Sequence, residues 1–234
     1  GVTYPESIPR MPRAASCEHT GNPVRDSVLN ADRGRARAAF GLPADAVVLL
    51  VFGGSRGSRR VNEAVLRLRE RLLAIERVWV LHVTGRAESL PGVDAGPEPH
   101  GGGDADRYRV FDYIDDMGAA IAAADLVIAR AGATSIAEIT AIGRAAVLVP
   151  YPYATGDHQT LNARDVAERG GALIVSDAGV DTDDFARALE DLLSDEDRRA
   201  EMARASRAIG VRDAATRLES LIVRCGGAGD GGGA

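Results

Sequence analysis

What the chain has little of narrows its function first. It holds only two cysteines, Cys17 and Cys225, far apart in the sequence. They form no metal-type or redox-type spacing and no disulfide framework, so a reducing cytoplasm is the expected setting. No run of 18 or more apolar residues occurs, so no transmembrane segment is expected. No signal peptide is expected either. Aromatic residues are scarce, at 4%. Basic charge is not in excess. The net charge of -6 speaks against nonspecific nucleic-acid binding, which requires a basic face. No Ser/His/Asp arrangement, catalytic carboxylate pair or metal-ligand cluster stands out, so no metal and no cofactor is expected. The glycine loop after the first apolar run, GGSRGS, fits neither G-x-G-x-x-G nor G-x-x-x-x-G-K-[ST], and the dinucleotide fingerprint with its downstream acid is missing, which disfavours a plain Rossmann dehydrogenase.

What is present is a chain of 234 residues, 45% hydrophobic and rich in Ala, Gly and Arg, enough for one large domain. Short apolar runs alternate with helical patterns. VVLLVF (Val47 to Phe52) reads as a strand buried on both faces. NEAVLRLRERLLAI follows, with a helical stripe at Val65, Leu68, Leu72 and Ile75. Further strands are read at VWVLHVTG from Val78, YRVFDYI from Tyr108, DLVIAR from Asp125, AAVLVPYP from Ala145 and ALIVSD from Ala172. Between and after them lie helices at MGAAIAAA, SIAEITAIG, DHQTLNARDVAERG, DDFARALEDLLS and RDAATRLESLIV. Strands separated by helices of this length build βαβ units and a parallel sheet. The expected fold class is α/β, a Rossmann-like doubly wound sheet over residues 46–223. Residues 1–45 are proline-rich at first and read as a linker or arm, with one short helix at RGRARAAFGL. Residues 86–106 read as a Gly/Pro-rich loop whose composition favours disorder, and residues 224–234 as a disordered tail. The start at Gly1 rather than Met reads as a processed or truncated piece.

In open sheets of this kind ligands sit beyond the carboxyl ends of the strands, where the strand order reverses. Four loops there carry distinctive chemistry. GGSRGS (Gly53 to Ser58) either makes a tight turn or lets backbone N–H groups approach a phosphate. In RAGATSIAEI, Ser135 and Glu138 form S-x-x-E, a capping box in its own right. The alternative for that stretch is a phosphate on the N–H groups freed by Gly132-Ala133-Thr134, with Glu138 accepting ribose hydroxyls. ATGDHQTLNA places His158 and Asn162 on one helical face with Gln159 beside them. That is either a solvated first turn or a site for sugar hydroxyls, with Asp157 as the cap. FDYIDDM could pair its backbone with a base edge, and Asp115 and Asp116 can cap the next helix. His82, inside a strand, reads as core.

Taken in order, TGNPVR, GGSRGSRRVNEAV, YIDDMGAAIAAADLVIARAGATSIAEI and VPYPYATGDHQTLNA resemble the carboxyl-terminal half of the MurG glycosyltransferases. These add N-acetylglucosamine from UDP-GlcNAc to lipid I, giving lipid II. The resemblance runs from Thr20 to about Ile222. It implies one half of a GT-B fold that holds the UDP-GlcNAc donor. Arg25 would lie near the nucleotide, and Gly54 and Ser55 would meet the diphosphate. Ile114 would place its backbone at the uracil. Ala133, Thr134 and Ser135 would line phosphate and sugar, and Glu138 would take the ribose hydroxyls. His158, Gln159 and Asn162 would face the GlcNAc. The match departs from many relatives at Thr134-Ser135, where they have Ser, Leu or Met and then Thr, and at His158, where they carry a glutamine. The family's amino-terminal domain, with its acceptor loops and proposed general base, has no counterpart here, so no catalytic residue is assigned. The resemblance implies a lipid-linked acceptor held by that other domain, and a whole enzyme in the cytoplasm, peripheral on the inner face of the membrane. A GT-B transferase with another acceptor, or a nucleotide-sugar-binding module without catalysis, are the competing expectations.

Overall fold

A computed structural model describes residues 1–4, 8–9, 17–54, 58–85 and 107–227. VVLLVF has no polar position, so it needs cover on both faces and belongs in the middle of a sheet. It forms β1 (Val47–Phe52), flanked by β2 (Val78–Val83) and β4 (Leu126–Ala129). With β3 (Tyr108–Phe111), β5 (Ala145–Leu148) and β6 (Ala172–Ile174) they make a six-stranded sheet of order β3-β2-β1-β4-β5-β6. Every pairing is parallel. This is the Rossmann-like α/β sheet expected from the alternation of elements.

Side chains alternate across β1 with the period of two that a strand imposes. Val48, Leu50 and Phe52 enter one core, with Ile121, Ile136, Ile139, Ala163 and Val166 of the covering helices. Leu49 and Val51 enter the other, with Val61, Val65, Leu72, Phe185, Leu189 and Leu192. Full burial of each such side chain contributes about 1.5–3 kcal/mol, which is what commits the chain to two covered faces. The first face carries α1 (Asp26–Leu29), α2 (Arg33–Ala39), α5 (Met117–Ala123), α6 (Ala133–Ile142) and α7 (His158–Glu168). The second carries α3 (Arg59–Arg67), α4 (Arg69–Ala74) and α8 (Asp183–Ser194). Two more helices follow, α9 (Glu196–Ile209) and α10 (Ala214–Gly227).

Several details differ from the sequence reading. The stretch after β1 is not one helix: it breaks at Leu68, whose ψ of 0° separates α3 from α4. Helix α9 was not anticipated. EDRRAEMARASRAI has no apolar stripe, and it is fastened by arginine. Arg199 donates to the carbonyls of Leu192 and Leu193 at the end of α8, both at 2.7 Å. Arg207 donates to Ala141 and Ile142 at the end of α6. Lysine is absent from the chain, so all 28 of its Lys and Arg positions are arginine. In Arg199 and in Arg207 a single terminal nitrogen, Nη1, donates to both carbonyls, and the positive charge favours the negative end of a helix.

The segment before β1 packs onto the first face. Val24 and Val28 cluster with Ala141, and Ala36 and Leu42 join the main core. Helix α1 lies so close to α5 that a Cβ on Gly118 would come 2.9 Å from the Val28 Cα. Helix α10 continues past Val223 to Gly227, and residues 228–234 lie outside the described residues, as do 86–106. Among the described residues no helix is long and apolar enough to cross a membrane.

Candidate functional site

The strand order reverses between β1 and β4. The chain leaves β1 toward β2 and β3, and leaves β4 toward β5 and β6. A crevice therefore opens beyond their carboxyl ends, where Phe52 pairs with Ala129. The two loops leaving it are Gly53-Gly54 and Arg130-Ala131-Gly132. Gly54 has φ of +89°, a left-handed backbone that only glycine takes without strain, and its face is open, with no atom within 4 Å of where a Cβ would stand. Ser55, the other predicted residue of this loop, lies outside the described residues.

Helix α6 starts in the crevice. Its N-cap is Gly132, and no side chain caps it. The capping box read from Ser135 and Glu138 therefore does not form. Ser135 is already the third residue of the helix, a place from which it cannot cap the end that precedes it. The N–H groups of the first turn keep no intrahelical acceptor, and the helix dipole makes that end positive. Ala133 and Ser135 are half-buried beside it and Thr134 is exposed.

Glu138 lies one turn further and is 8% exposed. Its Oε1 is 3.5 Å from the Arg25 guanidinium, 113 residues earlier in sequence. Burial pushes the Glu138 carboxyl above its ordinary value, and the Arg25 charge opposes that rise. Arg25 and Glu138 are thus brought together. Ile114 lies farther along the same edge of the sheet, after β3, buried in the turn where Asp116 caps α5 by accepting the Ala119 N–H at 2.9 Å.

The three polar residues at the start of α7 do different things. His158 is exposed, with its Nδ1 2.7 Å from the Thr155 carbonyl. Gln159 Oε1 accepts the Tyr151 N–H at 3.0 Å, which pins the turn after β5. Asn162 is buried and donates to the Ala131 carbonyl at 3.1 Å, which fixes the loop that leads into α6. Asp157 occupies the N-cap position of α7 with φ of +54° but does not cap it. Its carboxylate instead accepts the Thr160 hydroxyl at 2.6 Å.

Two residues of this rim were missed from sequence. Arg130 makes an ion pair with Asp177 at 2.6 Å, both largely buried, and donates to the Val149 and Pro150 carbonyls while lying over the Tyr151 ring. The pair is ionic rather than a directed hydrogen bond, because Asp177 Oδ1 lies off the N–H direction. Arg60, at the start of α3, is 3.8 Å from the same carboxylate. No periodicity signals a pair whose members lie on separate loops. His82 is core, as expected. It is held between Tyr108 Oη at 2.8 Å and Asn62 Oδ1 at 3.1 Å, and burial lowers it to about 4, so it is neutral at pH 7.

Comparison with known proteins places the chain. Residues 48–218 match the glycosyltransferase family 28 C-terminal domain, and the chain belongs to that family. A UDP-N-acetylglucosamine–N-acetylmuramyl-(pentapeptide) pyrophosphoryl-undecaprenol N-acetylglucosamine transferase from Desulforamulus reducens is 36% identical over 230 residues, covering 96% of this chain and 59% of the relative. The transferase of the same name from Salinibacter ruber is 43% identical over 217 residues, covering 92% of this chain and 56% of the relative. The chain thus spans less than two thirds of the length of these relatives. Among solved structures, Acinetobacter baumannii MurG superposes with a TM-score of 0.65 at 26% identity, over 91% of this chain and 58% of that one. A putative UDP-N-acetylglucosamine 2-epimerase from Listeria monocytogenes, at TM-score 0.58 and 16% identity over 91% of this chain and 54% of that one, shares the fold alone.

Proposed function

We propose that this chain is the donor-binding half of a MurG-like inverting glycosyltransferase. It holds UDP-GlcNAc, and the longer enzyme transfers GlcNAc to lipid I to make lipid II. The observation that carries this reading is the start of α6: an uncapped helix end at the reversal of strand order, with a buried carboxylate one turn along it. The first feature suits a diphosphate and the second a pair of ribose hydroxyls.

On this reading Ala133, Thr134 and Ser135, with Gly54 and Ser55, receive the diphosphate. Glu138 accepts from the ribose hydroxyls, Ile114 meets the uracil through its backbone, and Arg25 stands at the nucleotide. His158, Gln159 and Asn162 form the GlcNAc side, the last two also holding its walls in place. In the reaction the acceptor hydroxyl attacks the anomeric carbon and loses its proton to a base outside this chain. The bond from that carbon to the β-phosphate oxygen breaks, and UDP leaves. The negative charge that develops on the leaving diphosphate is stabilised by the end of α6 and the loop N–H groups. The lipid-linked acceptor belongs to the part of the relatives that this chain does not span, and with it a peripheral position at the cytoplasmic face of the membrane.

Calorimetric titration tests the reading. UDP-GlcNAc is expected to bind saturably and NAD not at all. Glu138→Ala is expected to weaken UDP-GlcNAc by roughly tenfold or more, as befits lost hydrogen bonds to a charged acceptor. Absence of saturable binding by UDP-GlcNAc and by UDP would overturn it.

A further inference from the structure

The carboxylate read as the ribose acceptor has a partner within the protein, and that partner is loosely held. Arg25 is the N-cap residue of α1, and its backbone is fixed by the buried Val24 and Val28 on either side. Its side chain is not fixed: it is 67% exposed, and Glu138 is the one polar partner of its guanidinium among the described residues. The contact, at 3.5 Å, is at the outer limit for a hydrogen bond. Arg37 shows what a fixed guanidinium looks like in this fold, with three backbone carbonyls and the Asp125 carboxylate at 2.7–3.1 Å. Arg25 is held by nothing comparable. The carboxylate it touches is buried, so removing its counter-charge without replacing it is costly. Two hydroxyl donors are such a replacement, and the displaced guanidinium then needs an anion of its own.

We infer that the Arg25–Glu138 pair is an exchangeable plug in the nucleotide site: a nucleoside diphosphate displaces Arg25 from Glu138 with its ribose hydroxyls and re-engages it with its phosphates. The inference rests on the donor-site reading above. It makes Arg25 work in opposite directions on the two parts of one ligand. It opposes entry of the ribose, because the pair must break, and it favours the diphosphate. A nucleoside without phosphates meets the obstacle and gains no compensation. The device therefore selects the charged nucleotide against the neutral nucleoside by more than the phosphate contacts at the end of α6 would do alone.

The test compares uridine and UDP on the full chain and on Arg25→Ala, with UDP measured by calorimetry and the weaker uridine by ligand-observed NMR. Thermal unfolding of the variant serves as a folding control, and Arg25→Lys, which keeps the charge, is a second variant. An ion pair with one exposed partner corresponds to a factor of about two to five and a charge-assisted phosphate contact to about tenfold or more. Arg25→Ala is thus expected to bind uridine about two- to fivefold more tightly than wild type and UDP about tenfold more weakly. Arg25→Lys is expected to lie between the two. Equal weakening of both ligands would make Arg25 a fixed wall of the site and overturn the inference, as would no change in either. Those outcomes leave the donor reading standing. Failure of the wild-type chain to bind either ligand overturns both.

Discussion

The two ends of the sheet handle charge in opposite ways. At the amino end, Asp125 accepts from Arg33 at 2.6 Å, from Arg37 at 2.7 Å and from the Val48 N–H at 2.8 Å. Arg37 in turn reaches three carbonyls around it. Arg144 closes the last turn of α5 through the Ile121 and Ala122 carbonyls. The guanidinium groups of Arg33, Arg37 and Arg144 all meet acceptors inside the protein. At the carboxyl end, α6 begins with no side-chain cap, Gly54 holds open a left-handed turn, and Glu138 shares a single long contact with an exposed arginine. Unspent hydrogen-bonding capacity lowers stability unless something else uses it. The same residue chemistry, an arginine beside a largely buried carboxylate, is structural at one end and available for exchange at the other. The difference lies in how many further partners each group has.

The strongest test of that contrast is at Asp125. Asp125→Ala leaves Arg37 buried with its charge unpaired and takes the acceptor from the Val48 N–H, so a loss of about 3–5 kcal/mol is expected in urea unfolding. Wherever the variant remains folded, UDP-GlcNAc affinity is expected to stay near that of the wild type, because the pair lies at the far end of the strands. A loss under about 1 kcal/mol, or a selective loss of ligand affinity, would break the contrast.

How much of this could be read beforehand depends on range. The sheet was legible, because β1, β2, β4 and β5 are nearly all buried and their apolar runs leave no other placement. Helices with an apolar face or a capping acid, such as α5 with Asp116, were legible as well. Helix α9 was not, since its anchors are Arg199 and Arg207 reaching to the ends of other helices rather than an apolar stripe. At the site, the types of residue could be read but not their pairings. Serine and glutamate at S-x-x-E spacing look like a cap wherever they fall. Only the position of the helix start, two residues before Ser135, shows that they are not one. Arg25 with Glu138, and Arg130 with Asp177, are tertiary contacts that leave no trace in local spacing.

Asn162 sharpens the contrast at intermediate scale, because its buried amide is given over to shaping the open end. Asn162→Ala removes the donor to the Ala131 carbonyl, and about 1–3 kcal/mol of stability is expected to go with it. Since that carbonyl sits on the loop entering α6, the phosphate-facing end shifts too. Titration of the variant is therefore expected to show UDP weakened along with UDP-GlcNAc, and not UDP-GlcNAc alone. Loss confined to UDP-GlcNAc would mean that the amide acts on the sugar directly.

The smallest effect is expected where capacity is least committed. Glu138→Gln should alter unfolding free energy by within about 1 kcal/mol at neutral pH, against the several lost at Asp125. Its sign follows from the raised carboxyl: burial keeps the proton on Glu138 in the folded chain to a higher pH than in the unfolded one. The wild-type group therefore contributes its full stabilisation below the ordinary glutamate range, and that contribution is lost as pH rises through the folded value. Glutamine does not ionise, so the variant is expected to gain on the wild type as pH increases over that interval. Arg25→Ala, by removing the charge that opposes the rise, should move the interval to higher pH. Urea titrations of the three chains at a series of pH values measure this. A Glu138→Gln variant that instead loses ground with rising pH would mean that Arg25 outweighs burial. Glu138 would then belong with Asp125, as a committed ion pair rather than an exchangeable one.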